Sequence, residues 1–376
     1  MLNPKKQNVK SKDPKITIAL LIHGEPPKIS DTIDSIKNQT YDSKKITIMC
    51  LDDGTSPKAK EVIKKKGLKI YELPKKCNIS FAKNFALKNS RDELIFFLDD
   101  HIILDKNSVE EAIRVIKKYP DIAGVCGRYR SATFKDYNLL RDIKRETIYQ
   151  KNDFERFITL ENFTTFSTGI GVVRKSVFLN YNFPEDVFPN DFGGEDVPAL
   201  IMALNEGKKF VYTPKVAGVH EHNLTLRDFI KKMEIEIRGR FSLLYWAANN
   251  PKFRIPYLHG FLNFPYFLII SIIFALIFLP ISPYFILLPF PFLLYELILS
   301  LKCLTASKEI PLKYRVKASV FVLCSDLLSL ICGIQYLFSS YKRPYKKLGF
   351  RRFLRINKIF LRWELEKYDI LKWIKN

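Results

Sequence analysis

Three apolar runs in this chain stop abruptly at charge, all at the same end. Residues 16–22 (ITIALLI) run into His23 and Glu25, residues 46–51 into Asp52 and Asp53, and residues 94–98 into Asp99, Asp100 and His101. Continuous β-branched runs of this length read as strands buried on both faces. Helical text lies between them. Ile29, Ile33 and Ile36 share one face behind a Ser30 or Asp31 cap; Ser56 and Pro57 open a helix over 58–66; residues 68–73 read as a strand and 80–89 as a helix. This alternation predicts an α/β fold, a doubly wound, mainly parallel sheet whose ligand sits at the carboxyl ends of the strands. All three charged ends then share one edge.

Side chains alternate along an extended chain, so Asp99 and His101 are expected on one side and Asp100 on the other. A carboxylate and an imidazole converging at a strand end suit a divalent metal, with nucleotide phosphates completing its shell. An Asp-rich turn would explain any one of these ends by itself. Three together argue for a site.

The formal net charge of +22 calls for an anionic partner. Nucleic acid is not expected, since no finger, recognition-helix or stacking-sheet signature is present. Anionic lipid fits better. Residues 261–301 carry a single charge, Glu296, and residues 320–340 only Asp326, as membrane-embedded or membrane-lying helices do. Pro280, Pro283, Pro289 and Pro291 break the first stretch, which leaves two spans with a tight turn or a re-entrant hairpin. The tail 341–376 has twelve basic residues against three acids, with Phe353, Ile356, Phe360 and Trp363 on one helical face. Such a tail favours the cytoplasmic side and hence an even number of crossings. The six cysteines show no metal-binding spacing and no cleavable signal peptide is evident, so reduced thiols and a catalytic part on the cytoplasmic side of the membrane are expected.

The segments ITIALLIHGEPPKISDTIDSIKNQTY, IMCLDDGTS, ISFAKNFAL and FFLDDH, followed by FSTGIGVVRKSVF, GGEDVPALIMALNEGKKFVY and PKVAGVHEH, together resemble the family 2 glycosyltransferases of GT-A fold. The likeness covers roughly residues 15–225. It divides the chain into a polar lead (1–14), a GT-A domain (15–225), an amphipathic linker helix (226–260), membrane-embedded helices (261–340) and the basic tail (341–376).

The resemblance implies a donor site in which Asp53, helped by Asp52, holds base and ribose, with His23 and Glu25 nearby. Lys83 and Asn84 stand where the family commonly has Arg-Asn facing the diphosphate, and Asp99 and Asp100 line the donor. It implies a metal held by Asp99, His101 and His220, with His222 as the competing histidine. His101 replaces the commoner Asp, and imidazole suits Mn²⁺ better than Mg²⁺. Asp196 matches the general base, beside Glu195, in the first turn of a helix carrying Val197, Leu200, Ile201 and Leu204 on one face. Gly169 and Gly171 are expected to allow close backbone approach between donor and acceptor pockets. Arg238 and Arg240 are placed to reach either the diphosphate or the membrane surface.

The expected function is metal-dependent, inverting transfer of sugar from a UDP- or GDP-sugar to a lipid-linked or polyprenyl-phosphate acceptor. The competing expectation is a non-catalytic GT-A scaffold that binds anionic lipid.

Overall fold

The computed structural model describes residues 13–74, 77–131, 154–160, 166–185 and 194–220, and then separate positions and short runs between 227 and 320. Within these residues nine strands form one sheet. They are β1 (Ile16–Gly24), β2 (Ile46–Thr55), β3 (Ile70–Glu72), β4 (Leu94–Asp99), β5 (Ile102–Leu104), β6 (Ile122–Ser131), β7 (Arg156–Ile158), β8 (Ile170–Arg174) and β9 (Lys209–His220). The order is β3-β2-β1-β4-β8-β6-β9-β5, with β7 also on β9.

The half from β3 to β4 is parallel throughout. Beyond β4 the sheet is mixed: β8 runs antiparallel to both β4 and β6, whereas β6 and β9 are parallel. The expectation of a mainly parallel sheet is therefore corrected to a mixed one. The reversal arises because β8 enters from the turn at Thr168 and Gly169 beside the end of β4, where Asp99 N–H donates to Gly169 O at 3.2 Å.

Alternation sorts the helices to two faces. Ile16, Ile18, Leu20 and Ile22 pack with α1 (Ile29–Lys37), α2 (Pro57–Lys65) and α4 (Ser108–Lys118). Ala19, Leu21, Ile95 and Phe97 pack with α3 (Ile79–Asn89), α5 (Lys175–Phe178) and α6 (Asp196–Asn205). Each fully buried aliphatic side chain contributes about 1.5–3 kcal/mol by leaving water.

Local chemistry sets the element ends. Ser56 caps α2 by accepting from Ala59 N–H, with Pro57 next, and Asn78 caps α3 by accepting from Phe81 N–H. α1 starts earlier than expected, at Ile29, and neither Ser30 nor Asp31 caps it. Burial of Ile29 draws that residue into the helix, which leaves Asp31 in the first turn to offset the dipole. β9 runs for twelve residues, so His220 ends a long strand.

The charge-poor region contains α7 (Phe264–Phe278), followed by a short 3₁₀ turn at Pro283–Leu287. No helix among the described residues is long and apolar enough to cross a membrane. The basic tail, and with it the expected amphipathic face, lies outside the described residues.

Candidate donor and acceptor site

Strand alternation also sorts the acidic pairs. Asp52 falls on the α2 side, where Thr55 N–H donates to its Oδ1 at 2.7 Å and the Lys60 ammonium pairs with its Oδ2. Burial alone would raise its pKa, but the Lys60 and Thr55 hydrogen bonds hold it below the ordinary carboxylate value. Asp53 falls on the α3 side, where the Cys77 thiol donates to its Oδ1 at 3.1 Å. Burial, then the Asp53 carboxylate, push that thiol up to about 12. Asp52 thus closes the turn, and Asp53 is the member facing the donor side. The His23 ring reaches Asp53 O and is largely exposed, while Glu25 is exposed and paired to Lys58 at 2.6 Å.

Asp99 shares the α3 face with Asp53. It lies so close to Gly169 that a Cβ there would overlap Asp99 Oδ2 and the Tyr129 hydroxyl. The expected close approach at Gly169 is present, and at Gly171 a Cβ would come within 2.8 Å of Ser167 O. Tyr129 and Ser167 hydroxyls are 2.7 Å apart. On the other side of Tyr129, its ring and that of His220 are 5.5 Å apart, and His220 in turn meets His101 with ring centroids 4.6 Å apart. The two Nε2 atoms are separated by 3.0 Å. β5 and β9 bring them together, with Ile102 opposite His220 in an antiparallel pair. Among the described residues, no group of three or more His, Cys, Asp or Glu side chains is placed to hold a metal.

Asp100 was expected to line the donor; it is buried on the opposite side. Its Oδ1 accepts from His101 Nδ1 and its Oδ2 from His23 N–H, both at 2.8 Å, while its carbonyl accepts from Thr32 at 3.1 Å. With both carboxylate oxygens committed, it meets the site through His101 and the His23 backbone.

Lys83 also differs from expectation. It is fully buried on α3, and its ammonium donates to Thr168 Oγ1 and Glu195 Oε1, beside the packed Phe97 and Phe183 rings at 6.0 and 5.4 Å from their centroids. Burial opposes its charge, yet Glu195, Asp196 and Asp99 outweigh burial and raise its pKa, so it stays cationic. Burial also pushes Glu195 up. Lys83 therefore lies beneath the carboxylates as their counter-ion. Asn84 is structural: it bonds Phe183 through both its amide ends and Glu185 Oε1 at 2.7 Å.

Asp196 begins α6. Its Oδ2 accepts from Thr168 N–H at 3.0 Å and from Thr168 Oγ1 at 3.2 Å, and its Oδ1 makes no hydrogen bond among the described residues. Thr168 and Tyr129, which join these groups, were missed from sequence. Thr168 had a signal in its place before Gly169; Tyr129 had none. His222, Arg238, Arg240 and Gly193 lie outside the described residues.

Residues 17–181 match the model of glycosyl transferase family 2. The segment carries a likeness to that family, and the protein is a nucleotide-sugar-dependent glycosyltransferase. Two curated relatives are similar to it. The poly(ribitol-phosphate) beta-N-acetylglucosaminyltransferase TarP of Staphylococcus aureus (strain N315) is 23% identical over 258 residues, 65% of this chain and 72% of TarP. A dolichyl N-acetyl-alpha-D-glucosaminyl phosphate 3-beta-D-2,3-diacetamido-2,3-dideoxy-beta-D-glucuronosyltransferase of Methanococcus voltae is 23% identical over 276 residues, 69% of this chain and 81% of the relative. Among solved structures, the mannosyltransferase PcManGT from Pyrobaculum calidifontis, in complex with GDP-Man and Mn²⁺, superposes with a TM-score of 0.48 at 15% identity, over 95% of this chain and 87% of its own.

Proposed function

We infer that the protein is a membrane-associated, metal-dependent, inverting transferase. It moves a sugar from a UDP- or GDP-sugar to a lipid-linked or polyprenyl-phosphate acceptor at the cytoplasmic face. The observation that carries this reading is the arrangement around Gly169: Asp99 packs against it, Asp196 hangs from Thr168 beside it, and Tyr129 leads on to His220 and His101.

Asp53 accepts from base or ribose on the α3 face, as a carboxylate can. Asp196 takes the proton from an acceptor hydroxyl through its Oδ1 as that oxygen attacks the anomeric carbon opposite the diphosphate. A phosphate acceptor is already ionised and needs little help from a base. The buried charge of Lys83 keeps Glu195, Asp196 and Asp99 together in one small volume.

The histidine pair supports a divalent cation. Two imidazole nitrogens 3.0 Å apart match neighbouring ligand positions at bonds of about 2.1 Å set at a right angle. Asp99, His101 and His220 would hold it, with the nucleotide diphosphate completing the shell, and two imidazoles favour Mn²⁺ over Mg²⁺. Bound there, it would neutralise charge on the departing nucleotide diphosphate.

Membrane attachment is supported by α7 and the apolar residues just beyond its end. Leu276, Ile277, Ile281 and Tyr284 are between 61% and 79% exposed, an apolar surface with no described cover. The curated relative acting on a dolichyl-linked sugar supports a lipid-linked acceptor.

The test is a panel of labelled UDP- and GDP-sugars with lipid extract, in Mn²⁺ and in EDTA, followed by product identification. A lipid-linked product of inverted anomeric configuration, formed only with metal, is expected. Equal turnover in EDTA would remove the metal, and a water-soluble product alone would remove the lipid acceptor.

A further inference from the structure

We propose that Asp100 is a positioning residue, one that fixes the tautomer of the His101 imidazole and ties that ring to the end of β1. Three directional bonds support this. Asp100 Oδ1 faces His101 Nδ1 at 2.8 Å, Oδ2 receives the backbone N–H of His23 at 2.8 Å, and the Asp100 carbonyl receives the Thr32 hydroxyl from α1 at 3.1 Å. The carboxylate is buried and accepts only, so the neutral imidazole must carry its hydrogen on Nδ1. The Nε2 lone pair then points away from Asp100 and toward His220, whose Nε2 is 3.0 Å distant.

The second bond gives the arrangement its reach. β1 ends at Gly24, and His23 sets its ring against Asp53 while giving its N–H to Asp100. One carboxylate therefore joins the strand end beside the nucleoside acid to the imidazole beside His220. Carboxylate-oriented histidines of this kind are better ligands because ring orientation and lone pair are set in advance. The consequence for metal rests on the reading of His101 and His220 as ligands; the tautomer stands on the hydrogen bonds alone.

Asp100→Asn separates the two roles with almost no change in volume. An amide has one accepting oxygen and one donating nitrogen, yet it meets two donors. The His23 backbone N–H can only donate, whereas the imidazole can exchange its hydrogen between nitrogens. The amide oxygen goes to His23, the NH₂ faces His101, and His101 moves its hydrogen to Nε2, where it blocks ligation.

The experiment uses the full chain labelled with ¹⁵N-histidine, at a pH where the imidazoles are neutral, with His101→Gln identifying the His101 ring signals. The wild-type ring is expected as the Nδ1–H tautomer and the Asp100→Asn ring as Nε2–H. Binding of Mn²⁺ alone, followed by the electron-spin resonance of the free ion, is expected to weaken about 10–100-fold in Asp100→Asn. A wild-type ring protonated on Nε2 overturns the proposal, and this holds even where the variant fails to fold. An Asp100→Asn ring that keeps hydrogen on Nδ1 overturns it equally. A wild-type protein with the Nδ1–H tautomer that takes up no Mn²⁺ supports the positioning role and removes the metal reading instead.

Discussion

Lys83 and Glu195 form an ion pair in which each side chain is only 2% exposed, directly beneath the acid that begins α6. A buried pair of this kind gains little over an apolar pair, but losing one partner strands a charge out of water. Lys83→Met should therefore destabilise the fold by about 3–5 kcal/mol in urea titrations, with Glu195→Leu in the same chain restoring most of it. A single variant as stable as wild type would mean that water reaches the pair.

Asp196→Asn keeps an oxygen for Thr168 and removes the basic one. Transfer to a hydroxyl acceptor should fall about 10²–10⁴-fold while nucleotide binding is unchanged. Transfer to a phosphate acceptor should fall far less, so comparing the two acceptors in this variant reports which class the enzyme uses.

At Gly169 a methyl group has nowhere to go, because Asp99 Oδ2 and the Tyr129 hydroxyl occupy its place. Gly169→Ala should cost about 1–3 kcal/mol in thermal denaturation and disturb donor binding as Asp99 shifts. Adding Tyr129→Phe removes one of the two clashing atoms and should recover part of the loss; no recovery would place the whole clash on Asp99.

Asp52 links stability to acid. Its folded pKa lies below the ordinary carboxylate value, so the unfolded chain binds the proton more readily. Its contribution is present above the unfolded pKa, about 3.9, and is lost as pH falls through the lower folded value. Lys60→Met removes the paired ammonium. Urea titrations across this range should show a shallower loss of stability with acid in the variant than in the wild type.

The centre of the parallel half was readable because β1, β2 and β4 are each a continuous apolar run closed by charge, with α2 marked by Ser56 and Pro57. The position of Asp99 followed from alternation alone, since residues 95, 97 and 99 share one face. The mixed half was less legible. Pro214 inside β9 reads as a strand end, yet β9 continues across a shift in its register with β6 between Cys126 and Arg128. The roles of Lys83 and Asp100 were missed for a different reason. Each was assigned to the donor by its place in a motif, while its partners, Glu195 and the His23 backbone, are far away in sequence and meet it only through the fold.

The length of β9 has a consequence for how this site can vary over time. His220 reaches His101 only because it lies opposite Ile102, eleven residues after β9 begins at Lys209. The exposed side chains of β9, such as Lys209, can be exchanged without moving that partner, whereas at Gly218 a Cβ would press on Ile102 at 2.7 Å. Gaining or losing a single residue between Tyr212 and Val219 would swing His220 to the other side of the sheet. Descendants of this chain can vary the exposed positions of this strand, but its length is inherited together with the histidine pair.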